Sequence, residues 1–141
     1  MPTRQVESRP QLGEAISPDL SRSLEGQVII VTGGSRGIGR AIVEMLHGQG
    51  ANVIFTYRQQ GETAREVVSA LRTPSREVQA IEADVRDLKT AQRIVAETVE
   101  RFGRLDGLVN NAGITRDKAL MLMEPSDWQE VLETNLGGTF N

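Results

Sequence analysis

The sequence has no cysteine and only one histidine. The first absence removes disulfides, thiolate metal sites and cysteine nucleophiles together; the second leaves too few ligands for a transition metal, so no metal is expected. Cations do not predominate either, since 16 Lys+Arg against 19 Asp+Glu leave a formal net charge of −3. A mildly acidic chain lacks the clustered basic residues that hold a nucleic-acid backbone, and no nucleic-acid partner is expected. No apolar run approaches the roughly 18–20 residues that cross a bilayer, so no membrane partner is expected. Glu7, Glu14 and Asp19 interrupt the N-terminal stretch, which does not read as an export or import leader. These absences point to a cytoplasmic protein. What is present suits a folded chain: 38% of residues are hydrophobic, and 14 Gly against 5 Pro indicate tight turns.

Residues 1–25 carry Pro2, Pro10 and Pro18 with scattered charge and no period, and read as a flexible N-terminal arm. A partner-binding role and a plain disordered extension are both open for it. From Gln27 the pattern changes, and residues 26–141 read as one incomplete domain. Val28–Val31 is a continuous β-branched run, the mark of a strand buried on both faces. After a glycine cluster, Ile38, Ala41, Ile42, Met45 and Leu46 recur at helical spacing until Gly48 and Gly50, and His47 suits the negative end of that helix. The spacing predicts a second strand over 52–56, a helix over 62–72, a third strand over 77–81 and a fourth over 105–110. Asp87 caps a helix whose inward face is Leu88, Ala91, Ile94, Val95, Thr98, Val99 and Phe102, closed by Gly103. Ser126 and Gln129 suggest a capping box before a last helix with an inward stripe of Trp128, Val131, Leu132, Leu136, Thr139 and Phe140. Short buried strands alternating with helices predict a doubly wound parallel α/β sheet. The last helix meets Asn141 without a stop signal, so the fold is expected to be cut within it.

Thr32-Gly33-Gly34-Ser35-Arg36-Gly37-Ile38-Gly39 joins the first strand to the first helix. Glycine lets the chain leave a strand abruptly and lets a phosphate approach the backbone, while the helix start offers free N–H groups to an anion. A nucleotide-triphosphate loop would need Lys and Ser/Thr after Gly39, where Arg40 and Ala41 stand. A ligand-free glycine turn and a dinucleotide site remain.

The spacing T-G-x-x-x-G-x-G, with Asn110-Asn111-Ala112-Gly113 after the fourth strand, resembles the short-chain dehydrogenase/reductase family over residues 25–141. Gly113–Asp117 and Thr134–Asn141 are similar, within it, to 3-oxoacyl-acyl-carrier-protein reductases and acetoacetyl-CoA reductases. The resemblance implies a Rossmann-type fold, here its N-terminal half with strand order 3-2-1-4. It also implies a homo-oligomer acting on an acyl thioester carried by acyl carrier protein or coenzyme A. Thr32, Gly33, Ser35, Arg36, Gly37, Ile38 and Gly39 would cradle the cofactor diphosphate. The second strand ends in Thr56-Tyr57-Arg58 with no acid to repel a 2′-phosphate, so Arg58 and Arg36 would select NADP(H) over NAD(H), unless both are merely solvated charges. Asp84 and Val85 would hold the adenine edge, or Asp84 serves only as a turn residue. Asn110 would tie neighbouring strands, and Asn111, Ala112 and Gly113 would let the cofactor ribose pass.

Asn135 falls inside the apolar stripe of the last helix, where a buried amide without partners costs roughly 1–3 kcal/mol. Either nearby backbone satisfies it, or it is the catalytic asparagine that the resemblance implies, holding a water in a proton relay. Trp128 reads as core. The resemblance further implies a Tyr-x-x-x-Lys pair with an upstream Ser. The single tyrosine, Tyr57, is followed four residues later by Gly61, so that pair is absent from these 141 residues. Two readings follow: an NADPH-dependent 3-oxoacyl thioester reductase lineage whose chain is inactive alone, or a non-catalytic NADP(H)-binding module or half of a split reductase.

Overall fold

Val28–Val31 forms strand β1, and all four side chains are buried. Alternate residues of a strand face opposite ways, so four consecutive buried positions require cover on both sides. In the computed structural model, which describes residues 23–141, helices supply that cover. Helices α1 (Gly37–Gly48) and α2 (Gly61–Leu71) enclose a core of Ile29, Val31, Val43, Val53, Phe55, Ala64 and Val67. On the other face, α3 (Leu88–Phe102) sets Ile94 against Val28, Ile30 and Ile54. Strands β2 (Asn52–Tyr57), β3 (Val78–Glu82) and β4 (Gly107–Val109) complete a parallel sheet of order β3-β2-β1-β4. Val31 is its pivot, in register with Phe55 of β2 and Val109 of β4. This is the Rossmann-type, doubly wound half-sheet. Because strand order reverses between β3 and β4, the carboxyl ends of β1 and β4 open onto a crevice.

Beyond β4 lie a 3₁₀ turn (Leu120–Leu122), helix α4 (Pro125–Leu132), a π-helical turn (Glu133–Gly137) and a short α5 (Gly138–Phe140). Among the described residues no helix is long and apolar enough to cross a membrane, and no cluster of three potential metal ligands occurs.

Several expectations need correction. Residues 1–22 of the expected arm lie outside the described residues, whereas Leu24 packs against the α1–α2 core and donates its N–H to Gln49 O. Ile38 and Met45 face outward, since the buried line of α1 runs through Gly39, Val43 and His47. His47 lies in the last turn of α1 and is buried. Burial, followed by the nearby Arg76 cation, lowers its pKa and favours the neutral ring. Arg76 itself serves the helix end, donating to the His47 and Gly48 carbonyls at 2.9 and 3.4 Å. Leu88, Val95 and Val99 are exposed on α3, whose buried line runs through Ile94 and Thr98 with Phe102 packed against the same core.

The capping box uses Glu124 and Asp127 in place of Ser126 and Gln129. Pro125 lacks an N–H and so fits the first helical position, which places the cap one residue before it. Trp128, Leu136 and Phe140 are exposed, as is Leu132, because none of the described elements covers that side. Asn135 likewise is exposed rather than buried.

Candidate functional site

Two loops build the crevice, and Thr32 stitches them together. Its hydroxyl accepts from the backbone N–H groups of Asn111 and Ala112, both at 3.0 Å. Asn111 returns the contact, its Nδ2 donating to Thr32 O at 2.9 Å and Gly33 O at 3.0 Å. The tie expected of Asn110 is therefore made by Asn111. β4 ends at Val109 and Asn110 is exposed; successive side chains alternate in direction, so a one-residue difference in a strand's end exchanges their roles.

Backbone space is tight where the loops meet. Gly33 adopts φ +70°, and a Cβ at Gly39 would stand 2.1 Å from Gly33 O and 2.4 Å from Asn111 Nδ2. Only glycine fits there. The reward is a helix start held against the carboxyl end of β1. At that start, Arg36 is the N-cap with no side-chain capping bond, and the first turn carries no acid. Such an end presents its N–H groups and positive pole to an anion.

The resulting groove has a volume of about 580 Å³. Gly33, Ser35, Arg36, Gly37, Ile38 and Gly39 line one side, and Asn111, Ala112 and Gly113 the other. Tyr57, Arg58, Asp84 and Val85 close its end, so these expected residues do converge; Thr32 lies beneath, as the stitch. Reasoning from the sequence missed other lining residues, among them Thr56, Gln60, Ile114, Arg116 and Thr134. Most flank a residue that was identified. Gln60 stands out only in the backbone, as a non-glycine residue at φ +63°.

The groove end is electrostatically organised. Arg86 grips the Asp84 carboxylate through Nε and Nη2, the shortest contact being 2.6 Å, and its backbone N–H donates to Oδ1 at 3.0 Å. Arg58 Nε lies 3.3 Å from Asp84 Oδ2. Chiefly through the Arg86 side-chain hydrogen bonds, and against desolvation, the Asp84 carboxyl is held down at about 2. Arg86 was not anticipated; its position two residues after an aspartate, as in an Asx turn, is the signal that could have found it.

Asn135 sits on the π-helical turn and reaches back to the loop after β4. Its Oδ1 accepts from Ile114 N at 2.9 Å and its Nδ2 donates to Ile114 O at 3.0 Å. Backbone thus satisfies it. An amide carries two donors and two acceptor sites, so one of each stays free on the exposed side chain.

The residues around the groove fit a dinucleotide: a glycine-rich loop that admits no Cβ at Gly39, the guanidinium groups of Arg36 and Arg58, and the small residues Ala112 and Gly113. Comparison with known proteins agrees. The family model for short chain dehydrogenases matches residues 27–141. The chain is 46% identical over 112 residues to the 3-oxoacyl-[acyl-carrier-protein] reductase FabG of Staphylococcus aureus, covering 79% of this chain and 46% of that protein. It is 41% identical over 118 residues to the 3-oxoacyl-[acyl-carrier-protein] reductase of a Synechocystis species, covering 84% and 48% respectively. A short chain dehydrogenase from Burkholderia cenocepacia, solved in complex with NADP, superposes with a TM-score of 0.79 at 40% identity, over 83% of this chain and 48% of that one. The chain therefore spans about half the length of the relatives it matches. By its matched residues and its fold, the chain belongs to the short chain dehydrogenase family.

Proposed function

We propose that this chain is the NADP(H)-holding part of a reductase that converts a 3-oxoacyl thioester, on acyl carrier protein or coenzyme A, to the 3-hydroxyacyl thioester. The observation that carries the reading is the stitched groove, whose floor tolerates no Cβ at Gly39 and whose walls carry Arg36 and Arg58. The similarity to 3-oxoacyl-[acyl-carrier-protein] reductases supports the substrate class. The Gly33–Gly39 loop would hold the diphosphate, Arg36 and Arg58 the 2′-phosphate, Val85 the adenine face, and Ala112 and Gly113 the ribose. When bound, the cofactor supplies a hydride to the substrate carbonyl. Asn135, with one donor and one acceptor site left free by Ile114, would hold a water for proton delivery. The full protein would work as a homo-oligomer in the cytoplasm.

The 141 residues contain no Tyr-x-x-x-Lys pair to protonate the product, so the chain by itself binds cofactor and does not turn over. Purified protein should shift its backbone amide resonances at Gly33–Gly39 on addition of NADP⁺, and show no NADPH oxidation with acetoacetyl-CoA. Shifts that leave this loop untouched sink the groove assignment, and steady turnover sinks the inactivity. The same missing pair favours a second reading, a non-catalytic NADP(H)-binding module or one half of a split reductase. Co-expression with a C-terminal reductase half distinguishes these, since only a split enzyme yields a stable active complex.

A further inference from the structure

Residues 110–119 belong to no helix or strand, and beyond Ala112 side chains tie them down. Three attachments join this segment to the helical stretch that follows, one at every second residue. Asn135 holds both backbone groups of Ile114, at 2.9 and 3.0 Å. Arg116 Nε and Nη2 converge on Glu130 Oε2 at 3.0 and 2.6 Å, while Nη1 donates to Thr115 O at 3.1 Å. Lys118 Nζ donates to Asp127 Oδ2 at 2.6 Å. The partners run back along the helix as the segment runs forward, so the two are laced antiparallel.

The Asn135 amide is the group proposed to hold a water, and its plane is set by Ile114. Ile114 in turn is steadied by the nearest attachment, two residues on. The Lys118 contact is four residues away, and Asp127 also accepts from the Glu124 N–H in the capping box. The Arg116 and Glu130 side chains are only 38% and 28% exposed, which sets the pair apart from a freely solvated one. We infer that Arg116 is a positioning residue: anchored on Glu130, it fixes the Ile114 backbone and through it the direction of the Asn135 amide. Arg116 also lines the groove, which leaves it a rival role, direct contact with a cofactor phosphate. The two roles part over Glu130. Removing that carboxylate undoes an anchor but frees a cation for a phosphate. Glu130 lies within electrostatic reach of Arg86 as well, so its substitution is read beside those of Arg116.

This inference rests on the proposed role of Asn135 and adds the residue that aims it. The test is hydrogen exchange and side-chain amide NMR on the 141-residue chain, with NADP⁺ titration beside them. Arg116→Gln and Glu130→Gln should each speed exchange of the Ile114 N–H about fivefold and move the Asn135 Nδ2 resonances toward those of a free amide. The double variant should be no worse than either alone, because both changes remove one contact. Arg116→Lys, which keeps the charge without the fork, should restore part of the protection. Arg65→Gln, which removes a pair exposed at 72% and 89%, is the control and should leave Ile114 unchanged. NADP⁺ affinity should fall by the same factor in both single variants, at most about threefold. Unchanged Ile114 exchange in both single variants overturns the inference. So does an NADP⁺ affinity that falls about tenfold in Arg116→Gln and holds or rises in Glu130→Gln, because Arg116 then contacts the phosphate. Failure of the unaltered chain to bind NADP⁺ overturns the groove reading and leaves the exchange result to decide the anchor.

Discussion

Replacing Gly39 by alanine should break the junction between the two loops, and the size of the effect follows from the packing. The added methyl would lie 2.1 Å from Gly33 O and 2.4 Å from Asn111 Nδ2, one a backbone atom and the other held by two hydrogen bonds. Ordinary contact requires separations larger by about 1 Å or more, so the helix start must lift off the loop. Overpacking of this kind costs about 1–3 kcal/mol, and the rigid neighbours put Gly39 at the upper end. Gly37 is the internal control. It has φ +56° and nothing within 4 Å of where a methyl would stand, so alanine there meets only backbone strain of about 1–2 kcal/mol. Urea unfolding should show a midpoint for Gly39→Ala about 1 M below that of the unaltered protein, with Gly37→Ala in between. NADP⁺ titration should show the larger loss for Gly39→Ala as well. If Gly39→Ala is as stable as Gly37→Ala and binds equally well, the close approach does not organise the groove.

Three further outcomes are expected. Thr32→Val removes the acceptor shared by the Asn111 and Ala112 N–H groups and should cost about 1–3 kcal/mol in urea unfolding, whereas Thr32→Ser should restore most of it. The Asp84 carboxyl sits at about 2, below its ordinary 3.8, so it contributes stability above pH 4 that is lost as pH falls toward 2. After solvent screening this is on the order of 1 kcal/mol, and unfolding at pH 6 and pH 3 should show that component shrink in Arg86→Gln, where the backbone N–H of residue 86 and the Arg58 cation remain. Leu108, 53% exposed on the edge strand β4, should promote association; Leu108→Lys should slow aggregation, followed by light scattering, without changing NADP⁺ affinity.

The strands and the glycine loop were legible because their signals are local. Val28–Val31 could be read as a doubly covered strand from four β-branched or aliphatic residues in a row, and Asp87 and Gly103 bracket α3 as expected. Periodicity, however, names an apolar side without naming its cover. Trp128, Leu136 and Phe140 share a helical stripe yet lie open to solvent. The Asn110–Asn111 exchange turned on one residue at a strand end, below the resolution of any pattern argument. The Arg86 clamp depends on where a long side chain folds, and nothing in the order of residues states that. Asn135 was singled out for its place in an apolar stripe, yet it is exposed, and its backbone partner, Ile114, lies 21 positions away.

The π-helical turn at Glu133–Gly137 has a geometric legacy. There the Gly138 N–H reaches back five residues to Glu133 O. An α-helix advances about 100° per residue, so this one additional residue rotates everything after it by that angle. The new azimuth is what lets Asn141 donate to Val85 O at 3.0 Å and brings Gly138 so near Val85 that a Cβ would fall 2.6 Å from its Cγ2. Deleting any one residue of the turn would reset the phase, swinging Asn141 away from Val85 while leaving the sheet intact.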